Sequence, residues 1–243
     1  MPESNEDGAG ELAGELRAKK PALIVPRQFK RNSPDVLAQA PSADTGLWLL
    51  EYMCERIGIP NLAGLDVLDF GCGSRFTEAI LSHDIPLRSY VGIDVYKEMI
   101  DFLAQNVSDD RLSFHHINAR NLRYNKKGVP LIPETALPVG DRTFDVVCMF
   151  SVITHQLPQD ARSIFAILRR HVKQSGHLFF SAWLDEGDFG YREDDPDQPT
   201  AYSVYSRDFL TELVESEGWR VVSVVPKNPR DLPILDSFLC VPA

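Results

Sequence analysis

The sequence predicts an α/β domain: a mostly parallel sheet with helices on both faces. Three observations carry this. The apolar run Leu65-Asp66-Val67-Leu68-Asp69-Phe70 turns on Gly71-Cys72-Gly73 and enters the helical spacing of Phe76, Ala79 and Ile80, which reads as strand, tight turn, helix. A second apolar run, Ser89 to Asp94, also ends on an acid and is followed by a helical face of Met99, Ile100, Phe102 and Leu103. The same alternation returns after residue 140, and strands alternating with helical patterns are the mark of βαβ units.

In chain order, residues 1–41 form an arm ahead of the domain proper. Met1 to about Lys20 is rich in Gly, Ala, Glu and Lys and is expected to be flexible, in part disordered. From Pro21 to Pro41 an apolar patch (Leu23, Ile24, Val25) and a basic group predict an irregular segment lying over the domain. The domain spans 42–243. Its first helix carries Leu47, Leu50, Cys54 and Ile57 on one stripe, and Gly58 and Pro60 stop it. Trp48 lies beside that stripe, and core packing is favoured over cofactor contact.

After the strands Asp66–Phe70 and Ser89–Asp94, Leu112 to Ile117 alternates well enough for a third. Asn121 to Thr135 is a polar surface excursion with no function assigned to it. Phe144 to Phe150 makes the fourth strand, and Pro158, with Gln159 and Asp160 behind it, starts a helix whose buried face is Ile164, Phe165, Ile167, Leu168 and Val172. His177 to Trp183 is the fifth strand. Residues 184–203 then interrupt the rhythm with seven acids against Arg192, a lid-like insertion or a solvated acidic loop. Ser206 caps a helix bearing Phe209, Leu210 and Leu213, and Trp219–Val225 and Ser237–Val241 close the chain as strands.

The chemistry starts from the two strand-ending acids, Asp69 and Asp94. Strand ends of one parallel sheet share an edge, so both carboxylates are expected to border one crevice. A carboxylate at the second strand's end can accept both hydroxyls of a ribose, and one beside the glycine turn can attract an ammonium group. A dinucleotide fingerprint would place its third glycine at Phe76, so a nucleoside carrying an amino acid suits the pair better than a pyrophosphate.

Asp69-Phe70-Gly71-Cys72-Gly73 and Gly92-Ile93-Asp94 resemble the first two motifs of class I S-adenosylmethionine-dependent methyltransferases, with Arg75 where the family often has a third glycine. Leu137-Pro138, Asp141 and Phe144-Asp145-Val146-Val147 resemble the family's approach to its fourth strand. The resemblance covers about Leu62 to the C-terminus. It implies a Rossmann-like methyltransferase fold with a mostly parallel seven-stranded sheet and an antiparallel C-terminal strand. It also implies S-adenosyl-L-methionine as cofactor and S-adenosyl-L-homocysteine as product. Residue by residue, the cofactor would be held by Asp69, Gly71, Cys72, Gly73 and Arg75, by Asp94 and Val95, by Asn118, Ala119 and Arg120, and by Phe150 and Ser151. Asn118 is suited to an adenine amino group, though a turn-forming Asn after a strand is the alternative.

Ser151-Val152-Ile153-Thr154-His155 resembles bacterial small-molecule and sugar O-methyltransferases. A hydroxyl is a poor nucleophile and gains from a base that takes its proton, and His155 sits just beyond a strand end in the crevice. A structural or substrate-positioning histidine is the other reading. Thr154, Trp183, Tyr191, Tyr202 and Tyr205 are candidates for the acceptor wall, with packing as the equal alternative. The acceptor expected is a small hydroxylated molecule, a saccharide by preference. The Asp/Asn-Pro-Pro-Tyr/Phe signature of amino-directed nucleic-acid methyltransferases is absent, with Phe150-Ser151-Val152-Ile153 in its place.

Thirty-five acids against 25 bases give a net charge of −10, which disfavours nucleic acid as a partner. The local exception is the basic arm of Arg17, Lys19, Lys20, Arg27, Lys30 and Arg31, which leaves open an RNA or protein substrate. A non-catalytic nucleoside-binding regulator is the remaining alternative. Neither a secretory pattern nor an apolar run of spanning length is present, so a cytoplasmic monomer or homodimer with no membrane partner is expected. Cys54, Cys72, Cys148 and Cys240 are widely spaced and read as reduced thiols. No recognised metal-ligand spacing occurs; a divalent metal is not excluded.

Overall fold

A computed structural model describes residues 23–30, 41–187, 189–195, 197, 200–227 and 235–243. The expectations for 1–22 and 31–40 of the arm, which include Arg17, Lys19, Lys20 and Arg31, lie outside the described residues.

The elements follow the predicted alternation: α1 (Ser42–Ile57), β1 (Asp66–Phe70), α2 (Arg75–His83), β2 (Ser89–Asp94), α3 (Lys97–Asn106), β3 (Leu112–His116) and β4 (Phe144–Met149). A 3-10 turn (Ile153–His155) leads to α4 (Pro158–Arg169), β5 (Val172–Asp185), β6 (Tyr191–Glu193), β7 (Ser203–Ser206), α5 (Arg207–Ser216), β8 (Trp219–Val225) and β9 (Asp236–Pro242). Strands β3-β2-β1-β4-β5 pair in that order, all parallel. Beyond that, β5 divides its pairing. Leu178 to Ala182 carry β9 antiparallel, which carries β8, while Trp183 to Asp185 carry β7, which carries β6. The sheet therefore has the seven strands expected plus two short ones, β6 within the 184–203 insertion and β7 starting at its last residue, neither of which the sequence reading placed.

Strand parity sorts the core into two layers. Val67, Tyr90, Val146, Cys148 and Phe179 face one way and pack with α1, α2 and α3. Leu68, Phe70, Val91, Ile93 and Val147 face the other and pack with α4 and α5. Helices thus cover both faces of the sheet. Leu23, Val25 and Phe29, ahead of the domain, are buried in the first layer, with the Phe29 ring 5.7 Å from Tyr96 and 5.3 Å from Phe102. Trp48 departs from its expected core role: it is 43% exposed, and Met53 is buried on that helix instead. All four cysteines are free and buried. Among the described residues no helix is long and apolar enough to cross a membrane.

At the sheet edge away from the glycine turn, Lys173 Nζ bridges Asp66 (3.1 Å) and Asp145 (2.8 Å), and the Asp66 N–H donates to Asp145 Oδ2 at 2.8 Å. This locks the starts of β1, β4 and β5 to one another. On the helical layer, α1 and α2 meet at Gly46. A Cβ there would lie 2.6 Å from Arg75 O and 2.8 Å from Ala79 Cβ. Gly46→Val should force the helices apart and lower stability by about 1–3 kcal/mol, read as a fall in Tm. An unchanged Tm would mean that the helices do not approach this closely.

Candidate active site

The site is built on the turn between β1 and α2. Gly71 has φ +79°, and a Cβ on it would run into Val152 Cγ2, so only glycine fits. The turn folds onto the end of β2. The N–H groups of Gly71 and Cys72 donate to the Ile93 carbonyl at 2.7 and 3.1 Å. The Gly73 N–H donates to Asp94 Oδ2 at 3.0 Å, and the Tyr96 N–H to Asp94 Oδ1 at 3.0 Å. Asp94 is thereby a buried carboxylate with a backbone donor on each oxygen.

Beside this carboxylate lies a cleft of about 500 Å³, counting its open mouth. Phe70, Ile93, Val95, Ile117, Ala119 and Leu131 make its apolar lining. Asp94, Arg120, Asn121, Ser151, His155 and Gln156 supply the polar groups, and Tyr124 stands among them. An apolar lining with a few fixed polar groups is the usual make-up of a small-molecule site.

The wall from Ala119 to Leu131 comes from the excursion to which sequence reading gave no role. Asn121 Oδ1 accepts from the N–H groups of Arg123 and Tyr124 at 2.9 and 3.0 Å, a turn that brings the Tyr124 ring edge-on to His155 with 6.3 Å between centroids. Gly128 crosses directly over the backbone of Ala119 and Arg120, where a Cβ would collide with main-chain atoms. The signal available in the sequence was Lys126-Lys127-Gly128, and it marks the tip without revealing what the tip rests on.

His155 ends the 3-10 turn after β4. Its Nδ1 is 3.0 Å from the carbonyl oxygen of Thr200. A carbonyl only accepts, so Nδ1 carries the proton of this bond, and in the neutral ring the lone pair is on Nε2. Ser151, two residues beyond the end of β4, has φ +57° and donates its N–H to Ser181 Oγ at 2.9 Å. At the start of α4, burial pushes the Asp160 carboxyl above its usual range, and Arg120 opposes the shift.

Of the residues proposed from sequence, the cleft brings together Gly71, Asp94, Val95, Ala119, Arg120, Ser151 and His155. Others lie elsewhere, each for a structural reason. Asp69 lies one residue before the end of β1, 2% exposed, and accepts from the Tyr90 hydroxyl at 2.7 Å. Of the two acids, Asp94 is the one that lines the cleft. Burial, with Asp69 next to it, pushes the thiol of Cys148 well up. Cys72 packs over Gly92 in the same layer, and Gly73 reaches the site only through its bond to Asp94. Arg75 points to α1 and donates to Thr45 Oγ1 at 2.6 Å, its guanidinium pKa lowered by burial. Phe150 packs against Phe76 and Phe179. Asn118 is exposed, and its side chain accepts from Asn125 rather than facing the cleft.

The acceptor candidates also divide. Thr154 is 1% exposed and Tyr205 is fully buried, its hydroxyl donating to the Gln156 carbonyl at 2.7 Å, so neither forms a wall. Tyr191 is half-buried, packed on Tyr205 and bonded to Glu193 Oε1 at 3.0 Å; burial foremost pushes its hydroxyl up to about 12. Trp183 and Tyr202 line a separate groove of about 1,100 Å³ with Arg192 and Lys227. Lys227 Nζ stands 5.3 Å above the Trp183 ring, and Tyr202 is 51% exposed. Among the described residues no three His, Cys, Asp or Glu side chains gather as a metal-ligand set.

A family model described as a methyltransferase domain matches residues 20–224. The glycopeptide N-methyltransferase MtfA, solved with S-adenosyl-L-methionine, is similar over 82% of this chain and 94% of its own, at 16% identity and a TM-score of 0.57. The 1,6-didemethyltoxoflavin-N1-methyltransferase of Burkholderia thailandensis, solved with S-adenosylhomocysteine, is similar over 85% of this chain and 79% of its own, at 18% identity and a TM-score of 0.53. The magnesium protoporphyrin IX methyltransferase of Synechocystis PCC 6803 gives 89% and 88%, with 14% identity and a TM-score of 0.54. The family match spans most of the chain, and the parallel sheet, the reversed C-terminal strand and the cleft at the strand ends agree with it: this protein belongs to the class I methyltransferases.

Proposed function

We propose that the protein transfers a methyl group from S-adenosyl-L-methionine to a hydroxyl of a small molecule, a saccharide by preference, with His155 as general base. The observation that carries this reading is the placing of Asp94 and His155 on one cleft, each held by backbone groups.

The residues present fit the cofactor. Asp94 is fixed for a ribose diol, Ile93, Val95, Ile117, Ala119 and Leu131 offer apolar surface for a base, and the missing Cβ of Gly71 lets a ligand approach the main chain. When bound, the cofactor supplies a methyl activated by its sulfonium sulfur. The chain's task is alignment and proton management. His155 Nε2 takes the acceptor's hydroxyl proton as the oxygen attacks, while the Thr200 carbonyl stabilises the imidazolium that results. Tyr124 shields the edge of that ring. The structural relatives include enzymes named for nitrogen acceptors, so the fold does not choose the acceptor atom. The positioned imidazole favours oxygen, which needs a base where a neutral amine does not.

For the acceptor, the net charge of −10 speaks against a polyanion. Trp183 and Tyr202 offer aromatic surface in a groove separate from the His155 cleft, so the saccharide preference rests on the resemblance of Ser151–His155 to sugar O-methyltransferases.

His155→Ala should lower turnover by about 10²–10⁴ while leaving cofactor affinity in place, measured by steady-state kinetics and calorimetry. Unchanged turnover would remove His155 from the mechanism. Asp94→Asn should weaken cofactor binding by at least about tenfold, as expected for a charged acceptor lost from a ribose contact. Wild-type affinity in a variant that melts normally would overturn the ribose assignment. The acceptor itself is found by supplying labelled cofactor to a fractionated metabolite extract and locating the methyl in the product; label on RNA or protein instead would replace the small-molecule reading.

A further inference from the structure

The β6–β7 hairpin grips the His155 turn at two points. One is the Thr200 carbonyl on His155 Nδ1, and the other is the buried Tyr205 hydroxyl on the carbonyl of Gln156, the next residue. The loop between the two strands is closed at its base by the Asp194 N–H, which donates to the Tyr202 carbonyl at 3.1 Å. Thr200 is the odd member of this loop. It is β-branched, only 3% exposed, and has φ +62°, a conformation such residues avoid. Its Oγ1 is buried with no hydrogen-bond partner among the described residues. Neither its side chain nor its backbone preference explains the conformation. What Thr200 gives the fold from this position is its carbonyl, turned onto the imidazole. Backbone strain persists where the surroundings over-determine it, and it gathers at working sites.

We propose that Thr200 is a positioning residue whose carbonyl fixes His155 as the Nδ1–H tautomer, and that the β6–β7 hairpin is the element orienting the base. The proposal rests on the reading of His155 as the base. It adds that the insertion is part of the catalytic apparatus and not only a cover for the acceptor. The chemistry is direct: a neutral imidazole can take a proton only at the nitrogen carrying the lone pair. A donor bond from Nδ1 to a fixed carbonyl assigns that lone pair to Nε2. If the carbonyl turns away, the ring is free to place its proton on Nε2, which then cannot accept one. The hydroxyl of Tyr205 sets the height of the turn, and the carbonyl of Thr200 sets the ring's proton.

The test reads the tautomer itself. Protein labelled with 15N-histidine is observed by long-range 1H–15N correlation, with the His155 signal assigned by its loss in His155→Gln. The expected spectrum above the titration of the ring shows Nδ1 protonated and Nε2 unprotonated. Thr200→Gly, which tolerates the positive φ and keeps the carbonyl, should retain that pattern. Thr200→Pro, which forces φ to about −65° and turns the carbonyl away, should shift the ring toward the Nε2–H form. It should also lower kcat at least about tenfold with the KM for cofactor held. An Nε2–H tautomer in the wild-type protein would overturn the proposal, as would an unaltered tautomer in Thr200→Pro. Should Thr200→Pro not fold, the wild-type and Thr200→Gly spectra decide alone. The tautomer is read without acceptor or turnover, so its outcome is separate from that of His155→Ala, which bears on the base assignment.

Discussion

The contact on which the site depends is the seating of the glycine turn on the end of β2. Two N–H groups converge on the Ile93 carbonyl and a third on the Asp94 carboxylate. Gly71 must be glycine to make the turn beneath Val152, and a Cβ on Gly92 would lie 2.8 Å from Cys72 Sγ and 3.2 Å from Cys72 Cβ, so the two segments meet closely there. The two motifs, Gly71-Cys72-Gly73 and Gly92-Ile93-Asp94, are therefore two sides of one contact. This has a consequence for ligand class. A glycine-rich turn that holds a pyrophosphate does so with its backbone N–H groups. Here those of Gly71, Cys72 and Gly73 are spent on β2, and what faces the cleft at this point is a carboxylate. The local field is that of an acceptor of hydroxyls, not a cradle for phosphate.

Much of the frame was legible because strand and helix periods are local. β1, β2 and β8 fall on the residues their apolar runs indicate, and α4 begins at Pro158 as its residues require. The candidate site was legible only at its motifs. Asp94, Gly71, Ser151 and His155 were recognisable from sequence and share the cleft. Tyr124, Asn121 and Leu131 were not, because what brings them there is a wandering loop pinned by Gly128 on Ala119, a long-range contact with no periodic trace; Gln156 comes to the cleft simply as the neighbour of His155. The strands β6 and β7 were missed for a similar reason. They are three and four residues long and exist through pairing with the far end of β5.

Asp69 and Asp94 illustrate what strand spacing leaves open. Asp69 pairs with Gly92, so it and Asp94 have the same strand parity, and both strands reach one edge. Their depth differs. Asp69 lies one residue inside the end of β1, level with Gly92 and Cys148, where it is buried and the Tyr90 hydroxyl meets it. Asp94 is the last residue of β2, two positions farther along, and takes N–H groups from the turn and from Tyr96. Depth along the strand, not the face, separates the two. Phe150 and Asn118 lie beyond the ends of β4 and β3, where strand alternation no longer sets the facing.

The groups that hold the site are, to an unusual degree, backbone groups. N–H donors from Gly73 and Tyr96 fix Asp94, the Thr200 carbonyl fixes His155, and the Ser151 N–H ties the end of β4 to Ser181. Such a frame constrains φ and ψ more than side-chain identity, and the constraint is visible where it is costly. Ser151 and Thr200, non-glycine residues held in the left-handed region that glycine favours, at φ +57° and +62°, flank His155 from two separate segments of the chain. Strain of this kind is stable only if packing on either side pays for it. Ile153 and Tyr205, close in the chain to these two positions, are both fully buried. A scaffold fixed mainly by main-chain bonds can drift far in sequence and keep its shape, consistent with relatives at 14 to 18% identity sharing the fold. Two ionisable side chains that this frame holds at the cleft are a carboxylate, Asp94, and an imidazole, His155, and main-chain partners hold the orientation of both.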